Sequence, residues 1–189
     1  NTNNALVATV DRHEDFTHDA NQIIDAVQSS TFPVKVVFID SPANPLGIVF
    51  KKEELEKVLN ALEDTLIVLD EAYIEFAQKE HDLTYLVKDY ENLVVTRTLS
   101  KAFALAGIRC GFAIANENII KALLKVIDPY PICDPVAQIA IQALSDHAVG
   151  MTLERAKCCN ERREKLRADL NELPFVEKIF ESHGNFLLV

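Results

Sequence analysis

The sequence lacks the features that mark membrane-spanning, secreted or nucleic-acid-binding proteins. No apolar run approaches the roughly 20 residues that a membrane-spanning helix needs. The opening NTNNALVATV does not have the basic-then-apolar layout of a secretory signal peptide. Lysine and arginine form no long cluster and the net charge is −10, so contacts with a phosphate backbone are not expected. These absences predict a cytoplasmic protein without nucleic-acid or membrane partners.

Cysteine and histidine are few, and neither shows the spacing of a disulfide framework or a metal site. There are four cysteines, and none is part of a C-x-x-C pair. Cys158 and Cys159 are adjacent, within a charged stretch that favours a helix. We therefore expect reduced thiols, as in cytosolic proteins. The five histidines are scattered without a ligand-like spacing, so no bound metal is expected.

Short β-branched runs alternate with amphipathic segments over the first part of the chain. Polar residues around position 19 to 29 and the apolar spacing of 51–62 predict helices. Strands are predicted for the apolar runs at residues 6–10, 34–40, 66–70, 92–96 and 111–115. This alternation is typical of an α/β fold with a mostly parallel sheet and helices on both faces.

The pattern changes after Ala115. Three helices are predicted there, at residues 118–127, 135–144 and 151–173. The closing runs VEKIF and NFLLV predict two short strands. We therefore expect a large domain at 1–150, followed at 151–189 by a linking helix and the start of a small α+β domain. Both domains are expected to be incomplete, because the chain opens and stops in the middle of a pattern.

Polar side chains follow three of the predicted strands at the points where those strands end. Asn44 lies in the turn after strand 34–40, and Asp70 ends strand 66–70, with Tyr73 close behind. The end of strand 92–96 is followed by Thr98, Ser100 and Lys101, and then by Arg109. Ligands of open α/β sheets gather beyond the carboxyl ends of the strands. These side chains are therefore expected to converge on one crevice.

Each of these groups suits one part of a single cofactor. A lysine in a dry site becomes a nucleophilic amine toward a carbonyl, and an aspartate can hold a cationic ring nitrogen. Tyrosine and asparagine can donate to a phenolate oxygen, while hydroxyls and an arginine suit a phosphate. An aldehyde, a pyridinium, a phenolate and a phosphate together describe pyridoxal phosphate. A lysine Schiff base with an acidic partner for the ring nitrogen is the usual protein signature of that cofactor.

Taken alone, each residue also has an ordinary structural interpretation. Asp70 could cap a helix, and Tyr73 could be a core aromatic with a paired hydroxyl. Asn44 lies in a proline- and glycine-containing turn of a kind found in any protein. Lys101 could belong to a solvated loop, and Arg109 could form an ion pair at a sheet edge. The order and strand-end placement of the whole set favour the cofactor site.

Several segments resemble the class I and II (fold-type I) aminotransferases. SPANPLG is similar to the S-P-N-N-P-T-G turn of that family, DEAYIEF to its D-x-A-Y segment, and TRTLSKAFALAGIRCGF to its lysine segment. Within the family the resemblance extends furthest in the histidinol-phosphate branch, through VIDPYPICDPVAQIAIQAL and SHGNFLLV. It covers nearly the whole chain from about Val34. Ala43 and Leu46 depart from the turn pattern, which implies altered turn packing with intact chemistry.

The resemblance implies a role for each candidate residue. Lys101 would form the Schiff base and then move a proton at the substrate Cα, so it is the main catalytic residue. Asp70 would bind the pyridinium nitrogen. Asn44 and Tyr73 would hydrogen-bond the phenolic oxygen of the ring. The remaining candidates would hold the phosphate: Thr98, Ser100 and Arg109. Arg97, beside them, is interpreted as a structural ion-pair residue.

The resemblance also implies an activity and partners. The enzyme would be a homodimer that uses pyridoxal 5'-phosphate to transfer an amino group between histidinol phosphate and 2-oxoglutarate in histidine biosynthesis. The family's glycine-containing phosphate loop, ring-stacking aromatic, partner-derived tyrosine and substrate-binding arginine have no match here, so weak or no turnover is expected of these 189 residues alone. An aromatic aminotransferase, a threonine-phosphate decarboxylase and a non-catalytic α/β fragment stay open as alternatives.

Overall fold

Four largely apolar segments form one sheet in the computed structural model, which describes residues 5–189. The strands are β1 (Val36–Asp40), β2 (Leu66–Asp70), β3 (Leu93–Thr98) and β4 (Gly111–Ala115). Their spatial order is β1-β2-β3-β4, with the first three parallel and β4 antiparallel to β3. The sequence therefore predicted the position of each of these strands and the mostly parallel sheet.

Three of the helices begin at a polar side chain that accepts a hydrogen bond from a first-turn backbone N–H, and one has a proline in its first turn, which removes one unpaired N–H. Asp19 and Gln22 form a capping box at the start of the helix that begins at Ala20, and Ser145 caps the long helix that begins at Asp146. The described helices are α1 (Ala20–Gln28), α2 (Lys52–Ala61), α3 (Glu117–Leu124), α4 (Asp134–Ala143) and α5 (Asp146–Asn171). All five confirm helices predicted from the sequence, and α5 begins a few residues earlier than expected.

The main core lies between one face of the sheet and helices α1 and α2. Alternate residues of the strands point to this face, because side chains along a strand alternate between the two sides. Ile67 and Leu69 of β2 and Leu93 and Val95 of β3 are completely buried there. Helix α2 contributes Leu55, Val58 and Leu59. On the opposite face Phe38 of β1 is 77% exposed.

A second, smaller cluster joins α5 to the segment that follows β2. Its buried members are Tyr73, Phe76 and Ala156, and Phe186 and Ala102 pack against them. Ile74–Phe76 forms a single 3-10 turn that carries Phe76 into this cluster. The cluster therefore connects the end of β2, the loop after β3, the long helix and the C-terminal segment.

Three predicted strands are wrong. Residues 6–10 have no regular structure, with Leu6 76% and Val7 84% exposed, and neither 176–180 nor 185–189 forms a strand. A β-branched run becomes a strand only when a neighbour accepts and donates its backbone hydrogen bonds. At the C-terminus one such bond is present, from Phe180 N to Leu188 O at 3.0 Å. The division into domains at 1–150 and 151–189 stays a prediction.

Across residues 5–189, no helix combines the length and apolarity that crossing a bilayer requires.

Candidate active site

The parallel register places polar residues side by side at the carboxyl edge of the sheet. Asp40 of β1 is level with Asp70 of β2, and Asp70 is level with Thr96 of β3. The Asp70 carboxylate is fixed, since its Oδ1 accepts hydrogen bonds from Thr96 Oγ1 at 3.1 Å and from the Ala72 N–H at 3.2 Å. The bond from Ala72 is a local turn contact and not a helix cap, because the next helical turn is Ile74–Phe76 and follows Tyr73. It holds the carboxylate in place without consuming both oxygens.

The turn after β1 is held to β2 by its first residue. The Ser41 N–H donates to the Asp70 carbonyl oxygen at 2.9 Å, and the Ser41 hydroxyl accepts from the Phe50 N–H at 2.9 Å. Gly47 closes the turn with a φ of 76°, a region that favours glycine. Ala43, one of the departures from the family pattern, is 1% exposed and packs inside the turn. This closed turn presents Asn44 at the edge of the sheet.

Asn44, Tyr73 and Lys101 lie together although they come from three different segments. Asn44 Nδ2 donates a hydrogen bond to Tyr73 Oη at 2.6 Å. The Tyr73 ring is buried, with 8% exposure, and the ammonium nitrogen of Lys101 lies 4.9 Å from the ring centroid. Lys101 and Asn44 are exposed. The site therefore has a buried tyrosine as its floor, with an amine and an amide open to a ligand.

The candidate phosphate-binding residues share the loop after β3. Thr98 Oγ1 donates to Ser100 Oγ at 2.8 Å and accepts from the Ser100 N–H at 3.1 Å. A backbone bond from Leu99 N to Cys110 O, 3.1 Å long, closes this loop and brings Arg109 back beside its start. Arg109 itself has a left-handed backbone, with φ 54°, and such strained residues cluster at ligand sites. The guanidinium of Arg109 donates to the Ala106 carbonyl oxygen at 3.0 Å, so it lies along its own loop.

A buried ion-pair network beneath the site was only partly predicted. Glu71 is completely buried and accepts hydrogen bonds from the Leu83 N–H at 2.9 Å, Thr84 Oγ1 at 3.0 Å and Arg97 Nε at 3.0 Å. Arg97 also pairs with Asp82 at 2.7 Å. The structural role expected for Arg97 is confirmed. The role of Glu71 was missed, and its signal in the sequence was an acid next to the strand-end aspartate.

Burial and pairing shift the pKa values of this network in opposite directions. Burial raises the pKa of Glu71, although the Leu83 N–H and Arg97 oppose the shift. Burial likewise raises the pKa of Glu75, which lies 3.6 Å from Arg97. Burial would also raise the pKa of Asp82, but its hydrogen bonds from Arg97 and Thr84 outweigh that effect and lower it. The network therefore depends on Arg97 to keep buried carboxylates ionised.

One surface depression lies away from these groups. It is lined by residues of α2 and of the 79–88 segment, including Lys51, Tyr85 and Lys88, and it is wide open. None of the candidate residues at the strand ends lines it. We place the candidate site at the strand ends, because the amine, carboxylate, amide, phenol and hydroxyl groups described above lie there.

The chain is similar to known proteins in both sequence and fold. The family model Aminotransferase class I and II matches residues 2–189. Histidinol-phosphate aminotransferase of Buchnera aphidicola subsp. Acyrthosiphon pisum (strain Tuc7) is 50% identical over 157 residues, 82% of this chain and 42% of that protein. The crystal structure of histidinol-phosphate aminotransferase from Clostridium acetobutylicum superimposes with a TM-score of 0.81 at 29% identity, covering 91% of this chain and 51% of that one. The Sinorhizobium meliloti enzyme, in complex with pyridoxal-5'-phosphate, gives 0.75 at 29% identity, covering 95% and 48%.

The fold is thus the α/β fold of these aminotransferases. The chain belongs to the class I and II aminotransferase family, and the curated relative and solved structures described above are histidinol-phosphate aminotransferases. It spans about half the length of the relatives that it matches.

We predict that Arg97→Leu lowers the free energy of unfolding by about 3–5 kcal/mol, the usual cost of leaving a buried charge unpaired. Without Arg97 the pKa of Glu71 rises further above its unfolded value of about 4.3. A raised carboxyl pKa destabilises the folded state once the group must ionise, so the loss should grow between pH 4 and pH 7. Urea unfolding at several pH values measures it.

The matched control is Arg167→Leu, because Arg167 is 40% exposed and lies 3.7 Å from Glu164 on the surface of α5. A surface pair of this kind contributes about 0–1 kcal/mol. Equal losses in the two variants, or a loss in Arg97→Leu that shrinks toward pH 7, would contradict the role given to Arg97.

Proposed function

We propose that this chain is the cofactor-binding part of a pyridoxal-phosphate-dependent aminotransferase that acts on histidinol phosphate and 2-oxoglutarate in histidine biosynthesis. The observation that carries the proposal is the cluster of Lys101, Tyr73 and Asn44 beside Asp70 at the carboxyl edge of the sheet. The name shared by the relatives described above supports the choice of substrate. Four unpaired cysteines fit a cytoplasmic location.

The side chains present fit pyridoxal phosphate by the chemistry of their polar groups. The cluster supplies an exposed amine, a fixed carboxylate, an amide paired with a phenol, and two hydroxyls in one loop. These groups complement an aldehyde, a ring N–H, a phenolic oxygen and a phosphate, respectively. When bound, this cofactor supplies an aldehyde for covalent capture of an amine and a ring that accepts electron density from the substrate.

Lys101 is proposed as the amine that captures the aldehyde. Its ammonium group lies over the face of the buried Tyr73 ring, which fixes its direction through a cation–π contact. After an incoming amino donor displaces Lys101, the freed Nζ can accept the proton from the substrate Cα and donate it to the carbon of the cofactor aldehyde, C4′. Because the side chain is exposed, it can reach both positions without opening the core.

Asp70 is proposed to bind the ring nitrogen of the cofactor. Its Oδ1 is already held by Thr96 and by the Ala72 N–H, so the carboxylate cannot rotate freely. A carboxylate fixed in this way makes a charge-assisted hydrogen bond with a cationic ring N–H at little cost in ordering. Keeping that nitrogen protonated preserves the ability of the ring to take up electron density.

Asn44 and Tyr73 are proposed to hold the phenolic oxygen. The amide of Asn44 donates to Tyr73 Oη, so the tyrosine hydroxyl keeps its own proton to donate. The two groups are thus oriented before a ligand arrives, which lowers the entropy lost on binding.

Thr98, Ser100 and Arg109 are proposed to bind the phosphate group. The two hydroxyls are hydrogen-bonded to each other and lie at the start of the loop that Arg109 ends. The remaining guanidinium N–H groups of Arg109 can donate to a phosphate in the bidentate manner that arginine favours. Hydroxyl and guanidinium donors would then meet the anion from the two ends of one loop.

We predict that Lys101 becomes covalently attached to pyridoxal phosphate, because it is the amine that lies at the site. Adding the cofactor and then borohydride should give a stable adduct, located at Lys101 by peptide mass spectrometry. The adduct should be lost in Lys101→Ala and kept in Lys125→Ala, since Lys125 lies beyond α3. A well-folded chain that forms no adduct, or one spread over several lysines, would favour the alternative of a non-catalytic α/β fragment.

We predict that the full-length gene product, with 2-oxoglutarate as amino acceptor, prefers histidinol phosphate over aromatic amino acids as the amino donor. Its kcat/KM should exceed that for phenylalanine or tyrosine by on the order of tenfold or more, as expected of a site that hydrogen-bonds polar groups of its substrate. The 189-residue chain alone should turn over weakly or not at all, since it spans 42% of the relative from Buchnera. A preference for aromatic amino acids, or decarboxylation of threonine phosphate, would select one of the alternative enzymes.

We propose that the enzyme is a homodimer and that the surface of α3, α4 and their connection lies at the interface. This surface exposes apolar side chains, notably Leu124 at 61%, Val126 at 81%, Tyr130 at 94% and Ile141 at 65%. Lys125, Asp128 and Asp134 are its only charges between positions 122 and 144. Contiguous apolar surface of this kind marks protein–protein contacts.

We predict that Ile141→Glu shifts the full-length protein toward monomers in sedimentation equilibrium, because a charge would be buried at the interface. Leu153→Glu is the matched control, since Leu153 is 51% exposed on α5. An unchanged association constant for Ile141→Glu, or an equal effect of Leu153→Glu, would place the interface elsewhere.

A further inference from the structure

Residues 182–186, which we call the C-terminal strap, return from the end of the chain to the turn that carries Asn44. The His183 N–H donates to the Gly47 carbonyl oxygen at 2.7 Å. Ser182 is 4% exposed and lies directly against Gly47, where a Cβ would come within 2.3 Å of the Ser182 hydroxyl. The strap therefore fixes the far end of the turn by both backbone hydrogen bonding and close packing.

The same strap also contacts Tyr73, the hydrogen-bond partner of Asn44. The ring of Phe186 meets the Tyr73 ring edge-on, with centroids 5.2 Å apart and an interplanar angle of 86°. This is a favourable geometry for two aromatic rings. Phe186 packs against the same buried cluster as Ala102, the residue next to Lys101. Tyr73 is thus confined by Asn44 at its hydroxyl and by Phe186 at its ring.

The strap is anchored from outside the site by α5. Arg163 donates to the Gly184 carbonyl oxygen and, at 3.0 Å, to Asn160 Oδ1. Asn160 in turn donates to the Phe76 carbonyl oxygen at 2.8 Å, just beyond Tyr73. Gly184 has no room for a side chain, because a Cβ would lie 2.8 Å from the Phe186 ring. The lack of a side chain at 184 is what lets the Phe186 ring fold back toward Tyr73.

We propose that the strap is a positioning element for the Asn44–Tyr73 pair, and that Phe186 is its positioning residue. The strap holds the turn that bears Asn44 with one end and the Tyr73 ring with the other, so it sets the geometry of the bond between them. The proposal rests on the proposed function, in which this pair holds the phenolic oxygen of the cofactor. Loosening the strap leaves Lys101 able to form its covalent bond but misplaces the ring-oxygen donors.

Two variants of the 189-residue chain loosen the strap in different ways. Phe186→Leu removes the ring that confines Tyr73, and Gly184→Ala keeps that ring but pushes it away. Each has a matched control: Phe175→Leu, at a phenylalanine 77% exposed, and Gly150→Ala, at a glycine with open space around it. Urea unfolding verifies that each variant folds, and either loosening variant is sufficient for the test.

The first measurement is a spectrophotometric titration with pyridoxal phosphate. Both loosening variants should bind about threefold to tenfold more weakly, the cost of ordering one further side chain on binding. The pH midpoint of the bound-cofactor absorbance should rise, because misplaced donors stabilise the anionic ring oxygen less. A purely structural role of the strap would lower stability without moving this midpoint. Unchanged affinity and midpoint in folded loosening variants would overturn the proposal.

The second measurement needs no cofactor. In hydroxyl-radical footprinting, oxidation of Tyr73 is compared with that of Tyr85, which is 48% exposed, lies outside the proposed dimer interface and serves as an internal reference. Tyr73 should be protected in the wild type and in both controls, and oxidised faster in the two loosening variants. If the wild-type chain binds no pyridoxal phosphate, the proposed function fails and this measurement alone decides on the strap. Equal protection of Tyr73 in all variants would refute the positioning role.

Discussion

The buried pair of Glu71 and Arg97 is the interaction on which the rest of the site depends. Glu71 lies between Asp70 and Tyr73 in the sequence, and Arg97 lies between Thr96 and Thr98. Their contact therefore ties the end of β2 to the end of β3 at the level where the candidate residues leave the sheet. A buried pair of charges adds little net stability, but it strongly opposes any arrangement that leaves one charge alone. That property suits this position, because the ends of β2 and β3 must keep a fixed distance and register for the candidate residues to stay together.

Around this pair the site is assembled by connections between distant segments. Asp70 is fixed by Thr96 of the neighbouring strand, and Asn44 by the closed turn after β1. Tyr73 is held by Asn44 at one end, and the strap approaches its ring from the other side. Functional side chains held by such packing need little reorganisation when a ligand binds. The parts of the site that remain exposed are the amine of Lys101 and Arg109 at the end of its loop.

Much of this could be predicted from the sequence, because local patterns carry it. Strand β2 is a continuous apolar run that ends in an acid, and the amphipathic spacing of α2 is unambiguous. The strand-end rule then brought Asn44, Asp70 and Lys101 to one edge. The roles of these residues toward a cofactor stay predictions, since geometry shows their proximity and not their chemistry.

What could not be predicted depends on contacts between segments far apart in the chain. The runs at 6–10 and 185–189 have strand-like composition, but the described structure gives them no ladder partner. Glu71 looked like part of a motif, and only the fold shows it accepting bonds from Leu83, Thr84 and Arg97. The packing of Phe186 on Tyr73 joins residues more than a hundred positions apart. No local pattern reports such a contact.

The central claim is that the strand-end cluster is a pyridoxal-phosphate site. Its most direct test is a crystal structure of this chain grown with the cofactor. The account predicts continuous density from Lys101 Nζ to the cofactor, the Asp70 carboxylate at the ring nitrogen, and Asn44 and Tyr73 at the phenolic oxygen. Cofactor density elsewhere, or joined to another lysine while these four side chains contact only solvent, would contradict it.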